Sequence, residues 1–355
     1  MMQVIPLFRV GGAEIMCENL CIALQKQGNE VIAISLYTEH SPIADRLEQA
    51  GIQVIYLDKK RGLDLSIFTK LCKLMKMEKP DVVHTHSCAA RYAFPCASYC
   101  GIHAKIHTVH SIAQQEQSRA GKLINGFFFK YLGAVPVALS EKVQKTVESV
   151  YHLPEQKIPV VFNGIDLSKC QIKTDYSQKE VFKILHVGRF ADVKNHVLIL
   201  NSFTSFAERH PDARLQLLGE GELWDDMKEL AKELQIDEKV EFAGLQSNVS
   251  PWLHDADLFI LPSKYEGMPM TLIEAMGTGL PIIASKVGGI PDMLTDNYDA
   301  LLIKPNVENL CNAMERLYSD QRLRAQFGTR ARVRSEAFSS IKMATQYTDI
   351  YRNHL

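Results

Sequence analysis

A chain of 355 residues is longer than one ordinary hydrophobic core, so we expect two domains. Hydrophobic residues make up 46% of the chain and charged residues 23%, which is typical of a soluble globular protein. The net charge of −1 gives no global electrostatic argument for a nucleic acid partner, and we expect none. Scattered cysteines without a CxxC pair, no secretory signal pattern and no long apolar stretch predict a cytoplasmic protein.

The first half of the chain alternates between short apolar strands and longer amphipathic helices. Its predicted strands are Met2–Phe8, Glu30–Leu36, Ile52–Leu57, Val82–His84, Lys105–Val109, Ala134–Leu139 and Val160–Phe162. Its predicted helices are Glu14–Gln27, Ile43–Ala50, Asp64–Met77, Arg91–Cys100, Ser118–Leu132 and Glu141–Val150. Repeated strand–helix–strand units cross over right-handed and build a parallel sheet.

Residues 166–180 are polar and without periodicity, as expected of a linker, and the alternation then restarts. The predicted strands of this half are Lys183–Val187, Arg214–Leu218, Val240–Ala243, Leu258–Leu261, Pro281–Ser285 and Ala300–Ile303. Its predicted helices are His196–Glu208, Leu223–Leu234, Val249–His254, Met270–Met276, Val307–Ser319, Asp320–Arg332 and Ser339–Arg352. The sequence thus predicts an α/β protein of two Rossmann-like, doubly wound parallel-sheet domains, 1–165 and 166–338, facing across a cleft.

One strand–loop–helix–strand unit, residues 257–293, holds two carboxylates that bracket a glycine-containing loop. Glu266 lies in the loop after an apolar strand, and Glu274 lies on the following helix, which we expect Gly277 and Gly279 to end. A carboxylate on such a helix could accept both hydroxyls of a ribose. The alternative is that both carboxylates are ordinary solvated charges.

A second candidate loop, HVGRFADVKNH, follows the first strand of the second half. Arg189 and Lys194 lie five residues apart just before a helix, and Gly188 frees the turn, which suits a diphosphate. A solvated loop with scattered charges is the alternative. Gly219 and Gly221 follow the next strand as a GxG pattern, which is weak evidence for a phosphate site on its own.

The first half offers two further strand-end candidates. Gly11 and Gly12 begin the first helix but do not form GxGxxG. Two interpretations are therefore possible: a plain turn, or a site where a ligand comes close to the backbone. His84, His86 and His110 are placed by the predicted strand ends at the ligand-binding edge of the sheet. Histidines at strand ends are also often structural, and no third residue with metal-ligand spacing accompanies the HxH pair, so we expect no metal site.

These motifs together resemble the retaining nucleotide-sugar glycosyltransferases of family 4, which have the GT-B fold. The resemblance is carried by VGGAE at the first helix, by NGID at 163–166, by VGRFADVKN, by LGEGEL and by EGMPMTLIE followed by AMGTGLPIIAS. It spans almost the whole chain and is strongest from 184 to 292. It implies an N-terminal acceptor domain, a C-terminal donor domain and a final helix, 339–355, that packs back on the first domain.

The resemblance also implies roles for individual residues. Arg189 and Lys194 would hold the donor diphosphate, which Gly12 would approach from the other domain, while His110 would lie beside the sugar and the leaving phosphate. Glu274 would bind the ribose, and Glu266 would contact the donor sugar. The expected donor-binding set is Gly11, Gly12, Gly188, Arg189, Lys194, Gly219, Gly221, Glu266, Gly267, Met268, Pro269, Met270, Thr271 and Glu274; the expected catalytic set is His110, Arg189, Lys194 and Glu266.

The expected activity is transfer of a sugar from a nucleotide-sugar donor, with UDP-sugar as the default, to a lipid-linked, polysaccharide or other glycan acceptor. The resemblance implies retention. The basic pair, together with the lack of a DxD motif placed to hold a divalent metal, predicts that no metal cofactor is needed. A nucleotide-sugar epimerase of the same fold and a non-catalytic sugar-nucleotide binder remain alternatives. A nicotinamide-dependent oxidoreductase is disfavoured because neither half carries GxGxxG after a strand.

Basic and apolar residues occur together in the first half. They are Lys59, Lys60 and Arg61, then Lys70, Lys73 and Lys76 on one helix, and Phe127–Lys130 on another. Such faces dock on anionic lipid, which predicts peripheral contact with the inner face of the cytoplasmic membrane. A solvated lysine face over an ordinary core is the alternative.

Overall fold

The computed structural model describes residues 1–8, 11–39, 41–116, 118–177 and 180–355. The chain divides into two compact units: unit 1 comprises Met1–Ile165 with Phe338–Leu355, and unit 2 comprises Asp166–Ala337. The chain leaves unit 1 after Ile165 and returns to it at Phe338. There the Ile165 amide donates to the Phe338 carbonyl, and the Ser340 amide donates to the Ile165 carbonyl.

Unit 1 is a six-stranded parallel sheet with the strand order β3-β2-β1-β4-β5-β6. Its strands are β1 (Met2–Ile5), β2 (Ile32–Ser35), β3 (Gln53–Tyr56), β4 (Val82–His86), β5 (Ala104–Val109) and β6 (Val135–Ala138). Its helices are α1 (Gly12–Lys26), α2 (Pro42–Gln49), α3 (Ser66–Glu78), α4 (Ala90–Tyr99), α5 (Ala113–Glu116), α6 (Arg119–Tyr131) and α7 (Glu141–Tyr151). The chain's last helix, α15 (Ser340–Arg352), also belongs to unit 1.

Unit 2 repeats the same topology, with the strand order β12-β11-β10-β7-β8-β9. Its strands are β7 (Phe182–Val187), β8 (Ala213–Leu218), β9 (Val240–Gly244), β10 (Leu258–Leu261), β11 (Ile282–Ser285) and β12 (Leu301–Ile303). Its helices are α8 (His196–Ala207), α9 (Trp224–Glu233), α10 (Ser250–Asp255), α11 (Met270–Thr278), α12 (Ile290–Met293), α13 (Val307–Ser319) and α14 (Gln321–Ser335).

The parallel sheets follow from the strand sequences, because strands covered by helices on both faces read as continuous apolar runs. All four residues of β10 and of β11 are buried, and they pair in parallel from Phe259 with Ile282 onward. Every helical crossover then returns the chain to the same end of the sheet, so the loops after the strands gather at one edge. The predicted pair of parallel-sheet α/β domains is confirmed in both halves.

Several elements differ between the prediction and the structure. The strand predicted at Val160–Phe162 was wrong, because only Val160 makes a single bridge, to Ala138. Gly277 does not end α11: it lies inside that helix, which ends at Thr278 with Gly279 in the left-handed conformation at φ +81°. The short helices α5 and α12 were not predicted.

The last helix, α15, packs against α1 in unit 1. Gln27, which directly follows α1, donates to the Ile341 carbonyl and to the Thr345 hydroxyl. The hydroxyl of Tyr351 accepts from Gln3 of β1. Throughout the described ranges, every helix is too short or too polar to cross a lipid bilayer.

Candidate functional site

A lysine, a glutamate and a serine meet where the loops after β7 and β10 approach each other in unit 2. Lys194 Nζ lies 2.6 Å from Glu266 Oε1, and the Ser263 hydroxyl donates to the same oxygen at 2.6 Å. The side chains of Lys194 and Glu266 are 18% and 10% exposed, so this ion pair is largely shielded from water. Both donors reach Oε1, which leaves Oε2 of Glu266 as the oxygen available to a ligand.

Backbone contacts fix the position of Lys194. A single 3₁₀ turn, Asp192–Lys194, precedes Asn195, which adopts the left-handed conformation at φ +62°. Asn195 Nδ2 donates to the Pro262 carbonyl, and the Lys264 amide donates to the Val193 carbonyl. The two loops are therefore tied to each other, and Lys194 is held by the fold rather than by its ion pair alone.

The glycines predicted to bind phosphate have a packing role in the structure. A Cβ at Gly219, where φ is +127°, would lie 2.1 Å from the Gly188 carbonyl oxygen, and one at Gly221 would lie 2.4 Å from the Phe190 carbonyl oxygen. A Cβ at Gly188 would lie 2.9 Å from Nε2 of the buried His186 beneath it. These glycines let the loops after β7 and β8 stack backbone against backbone.

Arg189 lies on the same loop as Lys194 but in a different environment. Its side chain is 72% exposed, and its guanidinium donates to Glu222 Oε2 at 2.9 Å. A surface ion pair of this kind contributes little to stability, so Arg189 is available for another anion.

The loop between Glu266 and α11 brings backbone groups close to the ion pair. Gly267 is half-buried, and the three residues that follow it, Met268, Pro269 and Met270, are buried. The N-terminus of α11 has no side-chain cap at Pro269, so its first amides are suited to an anionic or hydroxyl-rich ligand.

A glycine that the sequence did not single out as a site residue supports this loop. A Cβ at Gly288, where φ is +56°, would lie 1.6 Å from the Glu266 carbonyl oxygen, and the Gly289 amide donates to that oxygen at 3.0 Å. Ser263 was missed as well, although its place two residues after the apolar run of β10 is a signal that could have found it.

Two residues form the accessible strip of α11. Of its nine residues, all described, seven are buried, and only Thr271 and Glu274 are half-exposed. They are three positions apart and so share one face of the helix. The predicted ribose contact, Glu274, is therefore one of the two α11 side chains that a ligand can reach.

In unit 1, Gly11 and Gly12 begin α1. Gly11 is the N-cap residue without a side-chain cap, and the preceding Val10 of the VGGAE motif lies outside the described residues. A Cβ at Gly12 would meet nothing within 4 Å, and one at Gly11 would meet only the side chain of Glu14. The fold itself therefore does not require glycine at position 12.

His110 follows β5, as predicted, whereas His84 lies inside β4 and His86 is the last residue of that strand. Both are fully buried within β4, because that strand extends two residues beyond its predicted end. His86 Nδ1 lies 3.0 Å from His110 Nε2, and the His110 amide donates to Glu116 Oε1 at 2.9 Å. Burial lowers the pKa of His110 to about 3, so its imidazole is neutral near pH 7.

The described residues contain no group of three or more His, Cys, Asp or Glu side chains that could hold a metal ion. The candidate site of unit 2 is instead built from two cations, two carboxylates, backbone amides and one helix N-terminus. Such a set can bind an anion next to a hydroxyl-rich group.

Comparisons with known proteins show the family to which the chain belongs. Residues 171–334 match the family described as glycosyl transferases group 1, and residues 10–169 match glycosyltransferase family 4. The chain is 28% identical over 347 residues to UDP-Gal:alpha-D-GlcNAc-diphosphoundecaprenol alpha-1,3-galactosyltransferase of Escherichia coli, covering 91% of this chain and 89% of that protein. It is 30% identical over 308 residues to N-acetyl-alpha-D-glucosaminyl L-malate synthase of Bacillus anthracis, covering 81% of this chain and 78% of that protein.

Among solved structures, Anabaena Alr3699/HepE in complex with UDP-glucose superimposes with a TM-score of 0.84 at 18% sequence identity, covering 99% of each chain. This likeness shows the fold and confirms the GT-B architecture. The chain belongs to the family 4, group 1 glycosyltransferases, and it is a glycosyltransferase.

Proposed function

We propose that this glycosyltransferase moves a sugar from a UDP-sugar to a lipid-diphosphate-linked glycan, with retention of configuration and without a metal cofactor. The observation that carries the proposal is the shielded contact of Lys194, Glu266 and Ser263 beside the uncapped N-terminus of α11. The named substrates of the Escherichia coli relative, UDP-galactose and a GlcNAc-diphosphoundecaprenol, support the two substrate classes.

The leaving diphosphate is the group that Lys194 and Arg189 serve in this proposal. When the bond to the sugar breaks, negative charge accumulates on the terminal phosphate. A lysine held in place by tied loops stabilises that charge without reorganisation, and the α11 amides add to the effect. Arg189, exposed and paired only at the surface, is free to turn toward the diphosphate.

We propose metal independence from the same residues. Two side-chain cations and a helix N-terminus can balance the diphosphate charge that a divalent ion balances in other enzymes. Activity that persists in excess EDTA supports this part. Activity that EDTA abolishes and a divalent ion restores contradicts it.

Glu266 is better suited to hold the sugar than to attack it. Its Oε1 already accepts two hydrogen bonds, from Lys194 and Ser263, which makes the carboxylate a poor nucleophile. We therefore propose that the acceptor attacks from the face that the diphosphate leaves, and that a phosphate oxygen takes the acceptor proton. Oε2 of Glu266 and the 267–270 backbone then hold the sugar hydroxyls.

Glu274 and Thr271 complete the donor contacts in this proposal. They form the accessible strip of α11, and a carboxylate there can accept both ribose hydroxyls. For unit 1, we propose that Gly12 approaches the diphosphate and that His110 contacts the sugar.

We further propose that the enzyme works at the inner face of the cytoplasmic membrane, where helix α6 contacts lipid. Leu123, Phe127 and Tyr131 are 78%, 52% and 73% exposed and recur every four residues, and Lys130 beside them is exposed. An apolar stripe flanked by a cation suits an anionic bilayer. The predicted apolar contribution of residues 128 and 129 was wrong, since both phenylalanines are buried in the core.

The membrane contact can be tested by flotation with vesicles of anionic or neutral lipid. Phe127→Asp removes an apolar contact of about 1.5–3 kcal/mol and should abolish flotation with anionic vesicles. Val333→Asp is the matched control, because Val333 is 65% exposed on a helix of unit 2. Equal flotation of both variants would contradict the assignment to α6.

The transfer itself is tested by incubating the enzyme with labelled UDP-hexoses and a sugar-diphosphoundecaprenol, then measuring label in the organic phase. We expect label there for at least one UDP-hexose, and none without the lipid-linked acceptor. A donor that is isomerised without acceptor would indicate an epimerase. Donor binding seen as a thermal shift, without transfer or slow hydrolysis, would indicate a non-catalytic binder.

A further inference from the structure

A continuous chain of buried polar side chains runs through unit 1 from helix α15 to His110. Its members, in spatial order, are Tyr347, Thr108, His84, Tyr351, Gln3, His86 and His110. Each joins the next across 2.7 to 3.2 Å. The first six are at most 1% exposed.

This chain is not needed to fill the core, because apolar side chains of the same size would pack there without polar groups to satisfy. Buried polar groups lower stability unless every one is hydrogen-bonded, and here the residues come from β1, β4, β5 and α15. A fully bonded chain of this kind constrains the orientation of each member, and its end lies at a candidate catalytic residue.

The direction of the chain is set by the amide of Gln3. Gln3 Oε1 lies 3.0 Å from His86 Nε2, and an amide oxygen only accepts, so His86 carries its proton on Nε2. The neutral His86 then offers the lone pair of Nδ1 to His110 Nε2, 3.0 Å away. His110 must therefore donate from Nε2, and its proton is fixed there.

We propose that α15 acts through this chain to hold His110 in a single neutral tautomer, protonated on Nε2, so that Nδ1 accepts a hydrogen bond from a substrate hydroxyl. Gln3, His86 and Tyr351 are positioning residues in this arrangement. The hydroxyl contact rests on the proposed function, whereas the tautomer does not. A neutral imidazole with a lone pair on its remaining nitrogen suits a hydroxyl of the sugar or the acceptor and does not suit a phosphate oxygen.

Two further observations agree with this arrangement. Burial lowers the pKa of His86 well below its usual range and that of His110 to about 3, which keeps both rings neutral near pH 7. The His110 backbone is held separately, since its amide donates to Glu116 Oε1 at 2.9 Å. His110 is thus restrained at its ring and at its backbone.

The tautomer can be measured directly by long-range ¹H–¹⁵N correlation spectra of the whole enzyme labelled at histidine, with His110→Gln to assign the resonances. We expect His110 and His86 to be neutral and protonated on Nε2 at pH 7. Protonation of His110 on Nδ1, an imidazolium at pH 7, or averaging between tautomers would overturn the proposal.

Gln3→Met tests whether the chain sets the tautomer. Without the Gln3 oxygen, His86 no longer has an acceptor for Nε2–H, so its proton should move to Nδ1 and be donated to His110 Nε2. His110 should then carry its proton on Nδ1. Tyr351→Phe is the milder variant. It removes the hydroxyl that accepts from the Gln3 amide, so that amide can rotate. Both His110 tautomers, protonated on Nε2 or on Nδ1, should then be populated.

Tyr92→Phe is the matched control, because Tyr92 is 2% exposed in unit 1 and its hydroxyl bonds outside this chain, to the Asp64 amide. It should leave the His110 resonances unchanged. An unchanged His110 tautomer in both Gln3→Met and Tyr351→Phe would overturn the control by α15.

Kinetics test the hydroxyl contact. Gln3→Met should lower kcat about tenfold, the size of effect expected from losing one hydrogen bond that forms in the transition state, with the donor KM within about twofold. The expected tautomer change with an unchanged kcat would overturn the hydroxyl contact. Absence of transfer from every UDP-sugar by the wild-type enzyme would instead refute the proposed function, while the tautomer measurement would still stand.

Discussion

Replacing Lys194 with alanine removes the shielded cation of the candidate donor site. Its Nζ lies 2.6 Å from Glu266 Oε1, with 18% of the side chain exposed. One electrostatic contact to a developing oxyanion contributes about 2–4 kcal/mol to transition-state stabilisation. Since each 1.36 kcal/mol is tenfold in rate, Lys194→Ala should lower kcat by about 30- to 900-fold.

The structure offers a matched control two residues before Glu266 in the chain. Lys264 pairs with Asp192 at the surface, where the two side chains are 50% and 83% exposed. Exposed pairs contribute about 0–1 kcal/mol to stability, and this one has no expected contact with the donor. Lys264→Ala should therefore keep kcat within about twofold of the wild type.

The assay is steady-state transfer from the UDP-sugar identified by screening, with thermal unfolding to show that each variant is folded. Wild-type kcat in a folded Lys194→Ala enzyme would refute the placement of the leaving diphosphate. Equal losses in Lys194→Ala and Lys264→Ala would show that the effect comes from general loss of charge rather than from this position.

Three further predictions concern packing and proton uptake. The methyl group of Gly12→Ala would meet open space, so Tm should stay unchanged, while the donor KM should rise about tenfold because the diphosphate approaches there. The methyl group of Gly219→Ala would lie 2.1 Å from a backbone oxygen, so that variant should have a lower Tm. Equal losses of Tm in the two variants would contradict this. Burial lowers the pKa values of His107 and His110 to about 4 and about 3. As the pH drops below 6.5, the free energy of unfolding should therefore decrease by up to about 1.4 kcal/mol per pH unit for each histidine. A free energy of unfolding that stays constant from pH 6.5 to 4.5 would contradict this. Burial raises the pKa of Glu116 to about 8, so its stabilising effect is lost as pH rises from 4.5 to 8, and Glu116→Gln should gain Tm relative to wild type over that window; a constant difference would contradict it.

The fold could be predicted because apolar strands and amphipathic helices alternate twice with regular spacing. Fully buried strands such as β10 and β11 read as uninterrupted apolar runs, and right-handed crossovers leave only parallel sheets. A helix start that depends on one side chain can also be read from the sequence: Ser140 directly precedes α7 and caps it by accepting a hydrogen bond from the Val143 amide.

The errors arose where an element boundary or a side-chain direction decided the outcome. Placing the end of β4 two residues early put His84 at the end of the strand and His86 beyond it, whereas His84 lies inside the strand and His86 is its last residue. The burial of Phe128 and Phe129 beside the exposed Phe127 depends on how α6 is rotated against the core, which a short apolar run does not specify.

Long-range contacts were beyond prediction from one sequence. Lys194 and Glu266 are 72 positions apart, and Gln3 and Tyr351 are 348 apart. The close approach of Gly288 to the Glu266 backbone is likewise visible only once the loops are placed. Residue types and strand ends predict which loops form the candidate site, but the contacts within it depend on how those loops fold.

The central claim, retaining transfer from a UDP-sugar without a metal, is tested most directly by the configuration of the product. The measurement is the ¹H NMR spectrum of the anomeric proton in glycan made from an α-linked UDP-hexose and a lipid-linked acceptor in excess EDTA. We predict an α-linked product at an undiminished rate. A β-linked product would contradict retention, and no product until a divalent ion is added would contradict the role given to Lys194 and Arg189.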